Sequence, residues 1–114
     1  SPARYIFAAR GVADGMAYAE RFAEEVKFLD DKSFSLFESS IGSKDYEDAL
    51  RAVHTLKGIC QNLSFTRLFE SSSLVTNALK ENDWNTAVEM MSKLSMDYYE
   101  IINVIKEFKS SGEE

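Results

Sequence analysis

The sequence predicts an all-α fold, an antiparallel up-and-down four-helix bundle with an additional short N-terminal helix, and three observations predict it. Apolar residues recur three and four positions apart through long segments, the period of helices seated against one another. Only a few residues join each segment to the next, which makes consecutive helices antiparallel neighbours. Proline occurs once, at Pro2, and glycine five times, too rarely for a β fold full of tight turns.

In chain order, Ser1 to Arg10 is mildly apolar through Tyr5, Ile6 and Phe7 and is expected as an arm or short helix laid on the bundle. From Asp14, whose short carboxylate suits an N-cap, to Ile41, the residues Met16, Phe22, Val26, Leu29, Phe34, Phe37 and Ile41 keep near-helical spacing. The periodicity fits one helix here, or two with a break near Ala23. Gly42-Ser43-Lys44 ends the segment. The next helix carries Ala49, Val53, Leu56, Cys60 and Leu63 on one apolar seam, and Asn62 to Phe65 interrupts it. Leu68, Ser72, Val75 and Leu79 mark the inner face of a further helix, closed by Glu81-Asn82-Asp83, with Asp83 placed to cap its successor. The last helix is expected from about Trp84 to Phe108, with Val88, Met91, Leu94, Tyr98, Ile101, Ile105 and Phe108 inward. Residues 110–114 form a polar, frayed end.

Composition bounds the function. A chain of 114 residues is expected to form one domain, 1–114, and at this size buries roughly two thirds of its unfolded surface. No apolar run approaches the roughly 18 residues of a membrane span, and no signal-peptide pattern opens the chain. One cysteine and one histidine exclude an internal disulfide and leave too few soft ligands for structural zinc. A net charge of −6 disfavours nonspecific nucleic-acid binding. The charge is uneven, however: from Arg51 to Lys80 the cations Arg51, Lys57, Arg67 and Lys80 face Glu70 alone, a local balance of +3 that leaves −9 elsewhere. A basic region of this kind suits an anionic group or an acidic partner face.

The single histidine lies in that region. His54, Lys57, Gly58 and Gln61 fall three, four and seven apart, on one helical stripe beside the apolar seam. The imidazole is therefore expected to emerge toward water with a cation one turn away. Next to that cation stands a glycine, which costs roughly 1 kcal/mol against alanine in a helix interior, so something other than helix stability accounts for it.

His54-Thr55-Leu56-Lys57-Gly58 resembles the His-x-x-Lys-Gly signature of histidine-containing phosphotransfer (HPt) domains. The lead-in Lys44-Asp45-Tyr46-Glu47-Asp48-Ala49-Leu50 is similar to the family's acidic and aromatic helix opening. Val53 stands where the family commonly has alanine, Asn62-Leu63-Ser64 where it has Asn-Leu-Gly, and Leu74-Val75 where it often has Leu-Glu. The likeness covers roughly Gly11 to Asp83. It favours two helices between Asp14 and Ile41, a short one and then a long one, with Gly11-Val12 and Gly15-Met16 matching the opening pattern.

The resemblance implies a phosphoacceptor role for His54, charge compensation by Lys57 and clearance by Gly58, with Gln61 in support. A polar residue on the following helix would hold the second imidazole nitrogen; Thr76 or Asn77 is expected there, with Lys80 one turn on. Arg51, Phe65 and Arg67 are expected to touch the partner, although an aromatic at a helix entry, as Phe65 is, more often serves as a hydrophobic plug. That partner would be a response-regulator receiver domain or a hybrid sensor histidine kinase, in the cytoplasm, with the chain a monomer. No cofactor is expected in this chain, and magnesium is expected in the receiver. Two other readings share the motif: the phosphoacceptor domain of a chemotaxis-type kinase, and a receiver-binding module that carries no phosphate. Cys60, Met90, Met91 and Met96 are expected as core filler, and the serines at 71 to 73 form no nucleophilic triad for want of a second histidine.

Overall fold

A computed structural model describes residues 15–113, and the side chains of residues 20–111. The expected arm at 1–10, the Gly11-Val12 match, the Asp14 cap and the last residue of the expected tail lie outside them. The fold is an all-α bundle: α1 (Gly15–Lys27), a single 3-10 turn (Phe28–Asp30), α2 (Ser33–Gly42), α3 (Tyr46–Leu63), α4 (Thr66–Lys80), α5 (Trp84–Glu89) and α6 (Met91–Glu113), with no strand among the described residues.

Two helices do precede α3, but their break falls at Phe28–Lys32, not at Ala23, and the second is the shorter, 10 residues against 13. The physical reason is Phe28: it is 2 % exposed, and a 3-10 turn tucks its ring inward with neither glycine nor proline to announce the break. The last expected helix is divided at Met90, whose ψ of −7° interrupts the helical geometry while Met90 N–H still donates to Thr86 and Leu94 N–H to Met90. The inward residue of α5 is Ala87, two turns before Leu94, and not Val88, which is 45 % exposed. Met96, expected as core filler, is 72 % exposed. Residues 110–113, expected to fray, continue α6.

The chain divides into two compact units. The first comprises α1, the 3-10 turn and α6 from Glu100 onward. Within it, Phe22 on α1 meets Phe108 on α6 edge-on, ring centroids 4.8 Å apart, and Phe28, Ile102 and Ile105 are buried. The second, Lys32–Tyr99, carries the histidine. Here α3 packs against both α2 and α4, α4 packs against α5, and Phe34 stacks on Tyr98 at 4.0 Å. The predicted seam of α3 is its core: Ala49, Val53, Leu56 and Cys60 are 0 % exposed and Leu63 is 6 % exposed.

Three joints in this second unit share one construction. Lys44, Ser64 and Asn82 take left-handed φ values of 59°, 61° and 60°. At each, the left-handed residue donates back to a carbonyl three residues earlier and its successor to one five residues earlier: Lys44 to Ile41 and Asp45 to Ser40, Ser64 to Gln61 and Phe65 to Cys60, Asn82 to Leu79 and Asp83 to Ala78. This is the Schellman closure, which satisfies the last carbonyls of a helix. The closing residue then begins the next helix. Asp45 accepts from Asp48 N–H and Asp83 from Thr86 N–H, both at 3.1 Å. The Thr86 hydroxyl also donates to Asp83 at 2.6 Å, and these bonds hold the Asp83 carboxyl below its ordinary 3.8. The left-handed Ser64 accounts for the glycine that the resemblance leads one to expect there. Lys44 is exposed, so Lys44→Gly removes the strain and no packing; it is expected to raise stability by about 1 kcal/mol in urea denaturation.

Candidate functional site

Helix α3 is fixed end to end before any of its exposed side chains is considered. Asp45 caps it, Glu47 and Asp48 place negative charge in its first turn, and Ser64 closes it. Val53, one residue before His54, and Leu56, two residues after it, are both fully buried, which sets the rotation of the helix about its axis. The opposite stripe is therefore held outward: His54, Gly58 and Gln61 are exposed and Lys57 is half-buried.

His54 borders a depression of about 450 Å³ lined by Glu47, Leu50, Arg51 and His54 of α3 and by Lys80 of α4. A neighbouring depression of about 350 Å³ lies between α2 and α3, lined by Ser33, Leu36, Ser40, Asp48, Arg51, Ala52 and Thr55. Arg51 borders both, and its guanidinium reaches Asp48 at 3.3 Å. Asp45, hydrogen-bonded to Asp48 and like-charged with it, pushes the Asp48 carboxyl above its ordinary 3.8, while Arg51 pulls it down.

Lys57 projects toward α4, its ammonium 6.0 Å from the centroid of the Phe69 ring. A ring face attracts a cation but carries no net charge to offset it. Around Gly58 the space is open: a Cβ built there meets nothing within 4 Å. The protein's own packing does not require glycine at this position.

Lys80 lines the same depression as His54. Thr76 is 0 % exposed and its hydroxyl donates to the Ser72 carbonyl at 2.7 Å, so it is not placed to hold the imidazole. Asn77 is exposed and lines neither depression. At Phe65 the plug stands and the partner contact does not. The residue is 4 % exposed at the start of α4, a core plug and not a contact surface. Arg67 is exposed on the first turn of α4 and lies outside both depressions. The hydroxyls of Ser71, Ser72 and Ser73 each donate to carbonyls of their own helix. Glu47, Asp48 and Leu50 were read only as a lead-in to the motif. The spacing that places them here was present, since Glu47 and Leu50 lie seven and four residues before His54.

Among the described residues no group of three histidine, cysteine, aspartate or glutamate side chains is placed to hold a metal ion, and no helix is long and apolar enough to cross a membrane. What the site offers is an exposed imidazole on a rigid helix, flanked by Lys57, Arg51 and Lys80: a nucleophile among cations, suited to a transferable anionic group. The family model described as the Hpt domain matches residues 17–108. No significant match to a curated protein or to a solved structure accompanies it.

Proposed function

From the premise that the chain belongs to the Hpt domain family, whose members carry out histidine phosphotransfer in phosphorelays and interact with receiver domains, we propose that His54 accepts a phosphoryl group from a receiver aspartate and passes it to another receiver. The lone pair of one ring nitrogen forms the P–N bond as the acyl P–O bond breaks, and the receiver aspartate leaves as a carboxylate. The same step in reverse charges the next receiver. Lys57 offsets charge on the phosphoryl oxygens, and Lys80 and Arg51 add to the positive potential around them. Gln61 supports a phosphoryl oxygen or the partner backbone. Magnesium belongs to the receiver's acidic pocket, and the exchange takes place in the cytoplasm between a monomeric domain and its receivers.

One observation supports this reading above the others: His54 stands exposed on a helix whose opposite face is fully buried, so the nucleophile is presented without the helix having to move. The test is to charge receiver domains with acetyl phosphate, mix them with the domain and map the label. Acid-labile, base-stable label on His54 is expected. Receiver binding without label would point instead to an interaction module.

Gly58 provides a second measurement. Gly58→Ala is expected to stabilise the domain by about 1 kcal/mol, because alanine is the better helix former and its Cβ enters open space. Transfer from a receiver is expected to slow in the same variant, and to slow further in Gly58→Leu, because the clearance serves a docked partner. Urea denaturation and single-turnover transfer check the two halves separately.

A further inference from the structure

Arg51 is the one side chain that borders both depressions, so a partner covering His54 also meets its guanidinium. Among the described residues that guanidinium has one ion-pair contact, 3.3 Å to Asp48, and the pair is open to water with side chains 74 % and 54 % exposed. Such a pair is easily exchanged, since solvent screens it and two long side chains must be kept in one geometry. Arginine stays charged throughout and offers a planar fork of donors that matches a carboxylate. Asp48 is a compromised holder, because Asp45 lies beside it with the same charge.

Resting on the phosphotransfer reading, we propose that Arg51 is a specificity-determining residue: Asp48 tethers it on the rim of the histidine site, and a receiver bearing a carboxylate against that rim draws it away. Receivers without such a carboxylate leave the tether closed and bind less well. The pair thus imposes a competition that a matching partner wins and a mismatched one does not.

The experiment measures receiver Kd, with beryllofluoride on the receiver aspartate as a non-transferable mimic of the phosphoryl group, together with KM and kcat for transfer from phosphorylated receiver. Asp48→Asn is expected to lower Kd and KM for the best receiver by about threefold to fivefold and to change kcat by less than either, since an unoccupied Arg51 no longer has to be won from its holder. Arg51→Ala is expected to raise both constants, and adding Asp48→Asn to it to change nothing further, the pattern of two residues acting through one contact. Glu47→Gln removes the same charge one residue away without touching the tether, and is expected to have the smaller effect. An equal effect of Glu47→Gln, or an undiminished effect of Asp48→Asn in the Arg51→Ala background, overturns the tether in favour of general charge. Label on His54 with Kd and KM that ignore Asp48→Asn also defeats it. No label on wild type, with a Kd that still responds, defeats the phosphotransfer reading and leaves the tether standing.

Discussion

His54→Gln is expected to yield a folded domain that takes no phosphoryl group from any receiver, a loss of about 10⁴-fold or to background, as removal of a reacting nucleophile brings. Glutamine approximates the length of the imidazole but offers an amide nitrogen whose lone pair is delocalised into the carbonyl, so no P–N bond forms. The fold is expected not to notice. His54 is exposed, and substitutions at exposed positions usually stay within about 0.5 kcal/mol of wild type. Coincident urea transitions for the two proteins, beside complete loss of acid-labile label, are the expected result. Label of the same stability persisting on the variant would move the acceptor away from His54 altogether.

Two positions along the same helix the expectation reverses. Leu56→Ala is expected to remove about 3 kcal/mol of stability, because Leu56 is 0 % exposed and its truncation forfeits both burial and the contacts around the cavity left behind. Against the roughly 5–15 kcal/mol that holds a domain together, this is a large share. A melting temperature lower by on the order of 10–15 °C is expected in calorimetry. Below that transition His54 is expected to accept label still, since the residue lost lies behind the helix. Histidine chemistry and helix support would thus separate experimentally, although His54 and Leu56 are separated by one residue.

Legibility in the sequence follows the same division. The α3 seam could be read, Ala52 apart, because Ala49, Val53, Leu56, Cys60 and Leu63 repeat without fault, and a helix buried on one side leaves no other phase for them. His54, Lys57, Gly58 and Gln61 then had to face outward. The break at Phe28–Lys32 was not legible, because Phe-Leu-Asp-Asp-Lys contains no residue that forbids helix. Phe65 was ambiguous for a different reason. An aromatic at a joint reads more often as plug than as contact, and the closure hydrogen bond from its N–H to Cys60 decides it; the hydrophobic residue at that point of a Schellman closure turns back on the helix it ends. Thr76 and Lys80 share one face of α4 by spacing, yet one is buried and the other exposed. Spacing assigns a face; it does not say how far along the helix a neighbour continues to cover it.

The three matching joints give the domain the character of an indexed mechanism. Each leaves a single left-handed residue between the last turn of one helix and the residue that opens the next, so there is no slack in which a helix could rotate on its own. One residue added at Ser64 would advance α4 by about 100° about its axis, the angular step of an α-helix, and carry Lys80 away from His54. Change by insertion, the ordinary route for sites built on loops, is therefore closed to this one. A lineage that retunes which partner it serves has to do so by exchanging side chains on a face whose geometry stays put, one position at a time.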